Sequence, residues 1–240
     1  MPVILRLKQQ IARLYYKAAQ VPLVPILHHE WSRRDRRSLN ERTVEYAFAL
    51  DALSRSSATR VLDVGSGTKA WPQLLADCGY QVTAIDEGDS YWGVQPVNRH
   101  HHLLRDDITA PTLTSEFDAV TCISVLEHIP DHDAAVRGLR SLLKRGGHAI
   151  VSVPYNDHRF VENVYSLRGV SYGTNAPYVC RVYSRAEVRG WLDAGFEVVR
   201  QSYYRVFTGE LWAFGERLLP PVETGAEEPH HLSCLLLRAV

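Results

Sequence analysis

The sequence predicts a doubly wound α/β domain. Its sheet should be mostly parallel and seven-stranded, with an antiparallel last strand and a helical N-terminal extension. Three observations predict it. From Arg60 onward, short β-branched runs alternate with helix-patterned stretches, the signature of strands covered on both faces and joined by crossover helices. The first run, VLDV, breaks into a glycine-bearing turn, GSG, at residues 65–67. The last two runs, FEVVRQSYYRVF and SCLLLRAV, have no helix pattern between them and should pair antiparallel. With 240 residues, 45% of them hydrophobic, the chain suffices for one such domain and a modest extension.

The elements follow in order. Ile4, Leu7, Ile11, Leu14 and Ala18 recur at steps of three and four, one apolar stripe of a helix over residues 3–19. VPLVP (21–25) ends it, because each proline removes a donor and restricts its predecessor. A second helix is expected from about Asn40 to Ser54, its buried side made by Val44, Tyr46, Ala47, Phe48, Leu50 and Leu53. RVLDV, QVTAID, a weaker HHLLRD (101–106), FDAVTCIS and HAIVSV then supply strands. Helices are expected at 70–79, 90–95 and 131–144, the last stopped by Gly146 and Gly147. SRAEVRGWLDAG (184–195) is another helix, with Ser184 and Glu187 spaced as a capping box. No repeat or low-complexity tract interrupts the pattern.

Charge is balanced, 27 basic residues against 27 acidic, so the total gives no support to a nucleic-acid partner. It is not evenly spread. Residues 1–37 carry eight basic residues against Glu30 and Asp35, a net charge of +6. That end reads as a solvated helical face first and as a surface for an anionic partner second. Cys78, Cys122, Cys180 and Cys234 have no paired spacing, which disfavours a disulfide framework or a zinc site and fits a reducing compartment. Cys122 and Cys234 lie in apolar runs and read as core residues. Arg6, Lys8, Arg13 and Lys17 break any leader-like apolar stretch, and no run approaches the ~20 apolar residues of a spanning helix. A soluble, cytoplasmic protein without stable membrane insertion is expected.

Gly65-Ser66-Gly67-Thr68-Lys69-Ala70 satisfies G-x-G-x-x-(G/A), and Asp86 follows 19 residues after Gly67. Alone, that pattern fits a dinucleotide, and an NAD-dependent oxidoreductase is the alternative reading. Two features point away from it. Asp63, at the strand end, is badly placed beside a pyrophosphate and well placed for a cationic amino group. Pro72 leaves the following helix one amide fewer for phosphate.

In order and spacing, VLDVGSG, VTAIDE, RDDIT, FDAVTCISVLEHIPD and LLKRGGHAIVSVP resemble the motifs of class I S-adenosylmethionine-dependent methyltransferases. The resemblance covers about residues 60–155. NERTVEYAFAL and ISVLEHIPD are similar to bacterial methyltransferases of glycan and secondary-metabolite pathways. The resemblance implies a Rossmann-like fold, with residues 1–58 as a helical lid and 59–240 as the methyltransferase domain. It implies S-adenosyl-L-methionine as cofactor. Asp63, Gly65, Ser66 and Gly67 would then surround the methionine part, and Asp86 with Glu87 would meet the ribose hydroxyls. Asp107 and Ile108 would hold the adenine, and Ser124 and Val125 would line the same cleft. Lys69 and Ala70 stand where the family often has a third glycine, and Lys69 is expected to point to solvent. That departure keeps a catalytically silent cofactor-binding module as a further alternative.

The sulfonium methyl is already activated, so transfer is mainly a positioning task. An oxygen acceptor of high pKa also benefits from a base, and His128, beside Glu127 after the fourth strand, suits that role. The competing reading is that the pair only organises its turn. No metal is expected, because Ser124 stands where metal-using relatives carry another acid. Residues 155–183 are longer than an ordinary connection and form the expected substrate cap. The expected reaction is methylation of a small-molecule acceptor, a hydroxyl of a sugar or glycan precursor or of a secondary metabolite. The loop at 209–225 is available for closing the cleft or for a homodimer contact.

Overall fold

A computed structural model describes residues 3–25, 39–67, 69–87, 102–114 and 116–240. The chain divides into two compact units, Met1–Leu39 and Asn40–Val240. In the first, α1 spans Val3–Gln20 and a 3-10 turn follows at Val21–Leu23. The second unit begins with α2 (Arg42–Ser54), which therefore packs with the α/β body.

The body is an eight-stranded sheet of β1 (Arg60–Val64), β2 (Gln81–Asp86), β3 (His102–Arg105), β4 (Phe117–Ile123), β5 (Leu143–Pro154), β6 (Phe196–Phe207), β7 (Arg217–Thr224) and β8 (Leu232–Ala239). Their order is β3-β2-β1-β4-β5-β8-β6-β7. The first five strands pair in parallel, and β8 is antiparallel to both β5 and β6. All seven expected strands are present. The eighth, β7, pairs antiparallel with β6 at the sheet edge, inside the stretch expected to be a loop. Pro220 and Pro221 concealed it: proline cannot donate to a ladder and is confined to edges, so the run does not read as a strand.

Among the described residues, four helices cover the sheet: α2 and α3 (Trp71–Asp77) on one face, α4 (His132–Ser141) and α5 (Arg185–Asp193) on the other. Phe48, Leu53, Trp71 and Leu75 pack with Val61 and Ile150, while Val136, Leu139 and Trp191 pack with Leu62, Val64 and Val151. Burial on both faces is why β1 and β4 read as nearly continuous apolar runs. The capping box at α5 forms as its spacing predicts, with both Ser184 and Glu187 bonded. α4 ends at Ser141 rather than at 144, because Leu143 already pairs with Phe117 in the sheet. In α2, Ala47 is exposed, against the expectation, and Glu45 is buried. Cys122 and Cys234 are buried and free, as expected. The helix expected at 90–95 lies outside the described residues. Among those described, no helix is long and apolar enough to cross a membrane.

Candidate active site

The strand order reverses between β1 and β4, and open α/β sheets bind ligands at the carboxyl ends flanking such a point. The two tips touch. Gly65 has φ +71°, and a Cβ built on it would stand 2.5 Å from Val125 Cγ1, so only glycine fits there. The loop amides are already bonded. Gly65 and Ser66 donate to the Ile85 carbonyl (2.9 and 3.4 Å), and Gly67 donates to Asp86 Oδ2 (2.9 Å). Amides spent this way are not free to cradle a pyrophosphate, which counts against the dinucleotide reading.

Asp63 is 3% exposed, and its Oδ1 accepts from the Thr121 hydroxyl at 2.7 Å. Thr121 in turn accepts from Trp71 Nε1 at 3.2 Å, and the Trp71 ring stacks on Tyr46 at 4.5 Å. Burial pushes the Asp63 carboxyl up to about 7. The Thr121 hydrogen bond opposes that rise, and the neighbouring Asp86 adds to it. A small cleft opens here, lined by Arg42, Tyr46, Asp63, Gly65, Ser66, Lys69 and Trp71. Lys69, expected to face solvent, is a lining residue.

Sequence reasoning missed the contribution of α2. Glu45 is 1% exposed, and its Oε1 accepts from Ser124 Oγ and Ser152 Oγ, both at 2.6 Å. Arg42 pairs with Glu45 and donates to Ser124 Oγ at 2.5 Å. Ser124 itself holds φ +47°, a left-handed conformation rare for a residue with a side chain. The available signal was an Arg and a Glu three positions apart in the first turn of the helix.

The remaining expected residues sit at the same edge. Asp86 ends β2, 8% exposed, with Glu87 exposed beyond it. Asp107 caps its own turn, accepting from the Thr109 amide and hydroxyl at 2.8 Å. Ile108 is core: its carbonyl lies against Gly138 of α4, where a Cβ would meet it at 1.8 Å. Glu127 is buried and its Oε2 has no hydrogen-bond partner; burial drives its carboxyl up to about 8. His128 Nδ1 lies 2.6 Å from the Val179 carbonyl, so Nδ1 carries the proton and Nε2 presents the lone pair. Nε2 is 3.7 Å from Glu127 Oε1. Burial holds the imidazole below its ordinary range, with Arg42 and Arg181 acting in the same direction.

The expected cap, 155–183, is fastened to this turn. Arg181 donates to the carbonyls of Ile129 (2.6 Å) and Pro130 (3.2 Å), and the Tyr183 hydroxyl to that of Leu126 (3.0 Å). Tyr155 and Tyr183 are core, whereas Phe160 and Tyr172 are exposed. Trp212, in the 209–225 stretch, is buried against Phe207.

The family described as "Methyltransferase domain" matches residues 32–201. This chain belongs to that family. Its motifs and strand order make it a class I S-adenosylmethionine-dependent methyltransferase. Ubiquinone biosynthesis O-methyltransferase of Xanthomonas axonopodis pv. citri is 37% identical over 126 residues, 48% of this chain and 50% of that protein. The namesake from Stutzerimonas stutzeri is 30% identical over 143 residues, 56% and 62% of the two chains. The methyltransferase thus spans about half to three-fifths of these relatives' length. In fold it is similar to 1,6-didemethyltoxoflavin-N1-methyltransferase of Burkholderia thailandensis, crystallised with S-adenosylhomocysteine (TM-score 0.57, 18% identity, 95% and 90% coverage). It is also similar to the [4+2]-cyclase SpnF (TM-score 0.53, 16% identity, 81% of each chain). Fold alone does not fix the reaction.

The residues of the methyltransferase's cleft fit the amino-acid arm of its cofactor. A buried carboxyl raised to about 7 favours a cationic neighbour. Ser66 Oγ is buried without a hydrogen-bond partner, and Arg42 and Lys69 bring positive charge for a carboxylate. Among the described residues, no group of three or more acidic, histidine or cysteine side chains could hold a metal ion.

Proposed function

We propose that this methyltransferase moves the methyl group of S-adenosyl-L-methionine to a hydroxyl of a small molecule, a sugar or glycan precursor or a secondary metabolite. Asp63 holds the cofactor's ammonium, and Arg42 with Lys69 its carboxylate. Asp86 accepts from the ribose hydroxyls while keeping the glycine loop closed; a carboxylate with two oxygens can do both. Asp107 and Ile108 flank the adenine. The single observation that carries the reading is the buried Asp63 carboxyl, raised to about 7, in a cleft shared with two cations. A carboxyl and two cations lining one cleft suit an α-amino acid and not a pyrophosphate.

Oxygen is favoured as the accepting atom because the curated relatives are named O-methyltransferases. His128 supports it too. Its protonated Nδ1 is engaged by Val179, and a neutral Nε2 is the form a general base needs. The cap joins the same turn through Arg181, Tyr183 and Val179, which gives acceptor binding a route to the position of His128.

Calorimetry with S-adenosylhomocysteine and with NAD tests the assignment. Binding of the first and not the second is expected; the reverse would return the chain to the oxidoreductase reading. Product methylation is then followed with hydroxylated and amino acceptors in parallel. Turnover confined to amines would overturn the hydroxyl assignment, and cofactor binding without turnover on either class would support a silent module.

A further inference from the structure

We infer that α1 is a peripheral membrane anchor that lies on anionic lipid bilayers. Among the described side chains of α1, the apolar ones are exposed. Leu7 is 56% exposed, Ile11 58%, Leu14 67% and Tyr15 70%. At the helical repeat these four fall on one stripe, with Ile11 four residues from both Leu7 and Tyr15 and three from Leu14. Beyond the helix, Val21 (67%) and Val24 (43%) continue the exposed apolar surface. Leaving this much apolar surface on one helix in water is unfavourable unless something covers it.

Charge identifies what covers it. Residues 1–29 contain Arg6, Lys8, Arg13 and Lys17 and no acidic residue. Lys8 and Lys17 are exposed and lie on opposite flanks of the stripe, Lys8 beside Ile11 and Lys17 beside Leu14. A lysine on each border can run its aliphatic stem along the interface and keep its ammonium among headgroups. Arg13, exposed and four positions before Lys17, thickens one border. A second copy of this helix would set basic flank against basic flank. An anionic bilayer instead meets the stripe with acyl chains and the flanks with phosphates. The charges that interrupt the helix exclude spanning, so α1 would lie in the interface plane.

Vesicle flotation of the whole chain tests this. It should float with equimolar phosphatidylcholine/phosphatidylglycerol vesicles, stay behind with phosphatidylcholine alone, and be released by high salt. Each of Lys8→Gln and Lys17→Gln should lower the partition coefficient about fivefold, and the pair about 25-fold, since each basic residue near such a surface contributes about 1 kcal/mol. Ile11→Asp combined with Leu14→Asp should abolish flotation while the thermal transition of the α/β body stays in place. Absent flotation with the anionic vesicles, equal flotation with neutral ones, or undiminished flotation of the double aspartate variant would each overturn the inference. So would self-association in solution that the aspartates abolish without any vesicle binding, which would make the stripe a contact between copies.

Discussion

Asp63→Asn separates what the buried carboxyl does for the fold from what it does for the cofactor. The group is 3% exposed, and burial lifts it to about 7, some three units above an ordinary aspartate. In the free protein it is protonated at pH 6 and ionised at pH 8. A cofactor ammonium needs the ionised form, so binding must remove a proton below the folded pKa. Affinity for S-adenosylhomocysteine should therefore be flat above about pH 7 and fall about tenfold per unit below it. The asparagine keeps an acceptor for Thr121 and loses the charge. Its affinity should be independent of pH and, at pH 8, lower by the about 1.5–3 kcal/mol of a charge-assisted hydrogen bond, roughly tenfold to a hundredfold. Stability should move the other way. A carboxyl whose folded pKa is raised contributes stability that is present below its unfolded pKa, near 4, and lost as pH rises through about 7. The asparagine variant should thus melt above wild type at pH 8 and level with it near pH 4. Isothermal calorimetry across pH 6–8 and scanning calorimetry across pH 4–8 read the two effects. A wild-type affinity that is flat across pH 6–8, or an asparagine variant that keeps the wild-type slope, would refute the reasoning.

Four further outcomes follow from the same contacts. Gly65→Ala must adopt φ +71° and drive its Cβ into Val125, so cofactor affinity by calorimetry should fall tenfold or more, and Val125→Ala in the same chain should restore part of it. Glu45→Ala strands a guanidinium and two hydroxyls in the interior; a loss of about 3–5 kcal/mol, roughly 10 °C in melting temperature, is expected by scanning calorimetry. His128→Ala should lower kcat about 10²–10⁴-fold with S-adenosylhomocysteine affinity intact, and the wild-type rate should fall only below the ordinary histidine range because its pKa is depressed; an unchanged kcat would leave His128 a turn residue. Arg181→Met frees the carbonyls of Ile129 and Pro130 and should raise the acceptor KM and lower kcat in steady-state assays, with cofactor affinity unchanged.

The central sheet was legible because its information is local. Strands buried on both faces read as mostly apolar runs, and the turn after β1 must carry glycine where φ is positive and Val125 is in contact. The acidic residues at the strand tips were legible for the same reason, each ending an apolar run. What failed to show was long-range. Glu45 reads as a solvated helical residue until Ser124, 79 positions on, and Ser152, 107 positions on, supply the donors that make its burial tolerable. β7 has ladder bonds only because β6 offers an edge on which Pro220 and Pro221 cost little. The aromatic cap residues divided in a way composition does not encode: Tyr155 and Tyr183 entered the core while Phe160 and Tyr172 stayed outside.

The tip of β4 is held from two directions, and this explains how a strained residue persists there. Ser124 at φ +47° would relax if its hydroxyl were free to follow the backbone. Instead Glu45 and Arg42 grip the hydroxyl from α2, while its amide donates to Ser152 in β5. A few residues on, Arg181, Tyr183 and Val179 grip the 126–130 turn from the cap. Between those two anchors stand Val125, pressed on Gly65, and Glu127 with His128. Arg42 belongs to the first anchor and also lines the cleft beside Asp63. On the proposed function, a carboxylate filling the cleft would draw on the same guanidinium that steadies Ser124, and so would couple the cofactor's amino-acid arm to the position of the β4 turn through one side chain.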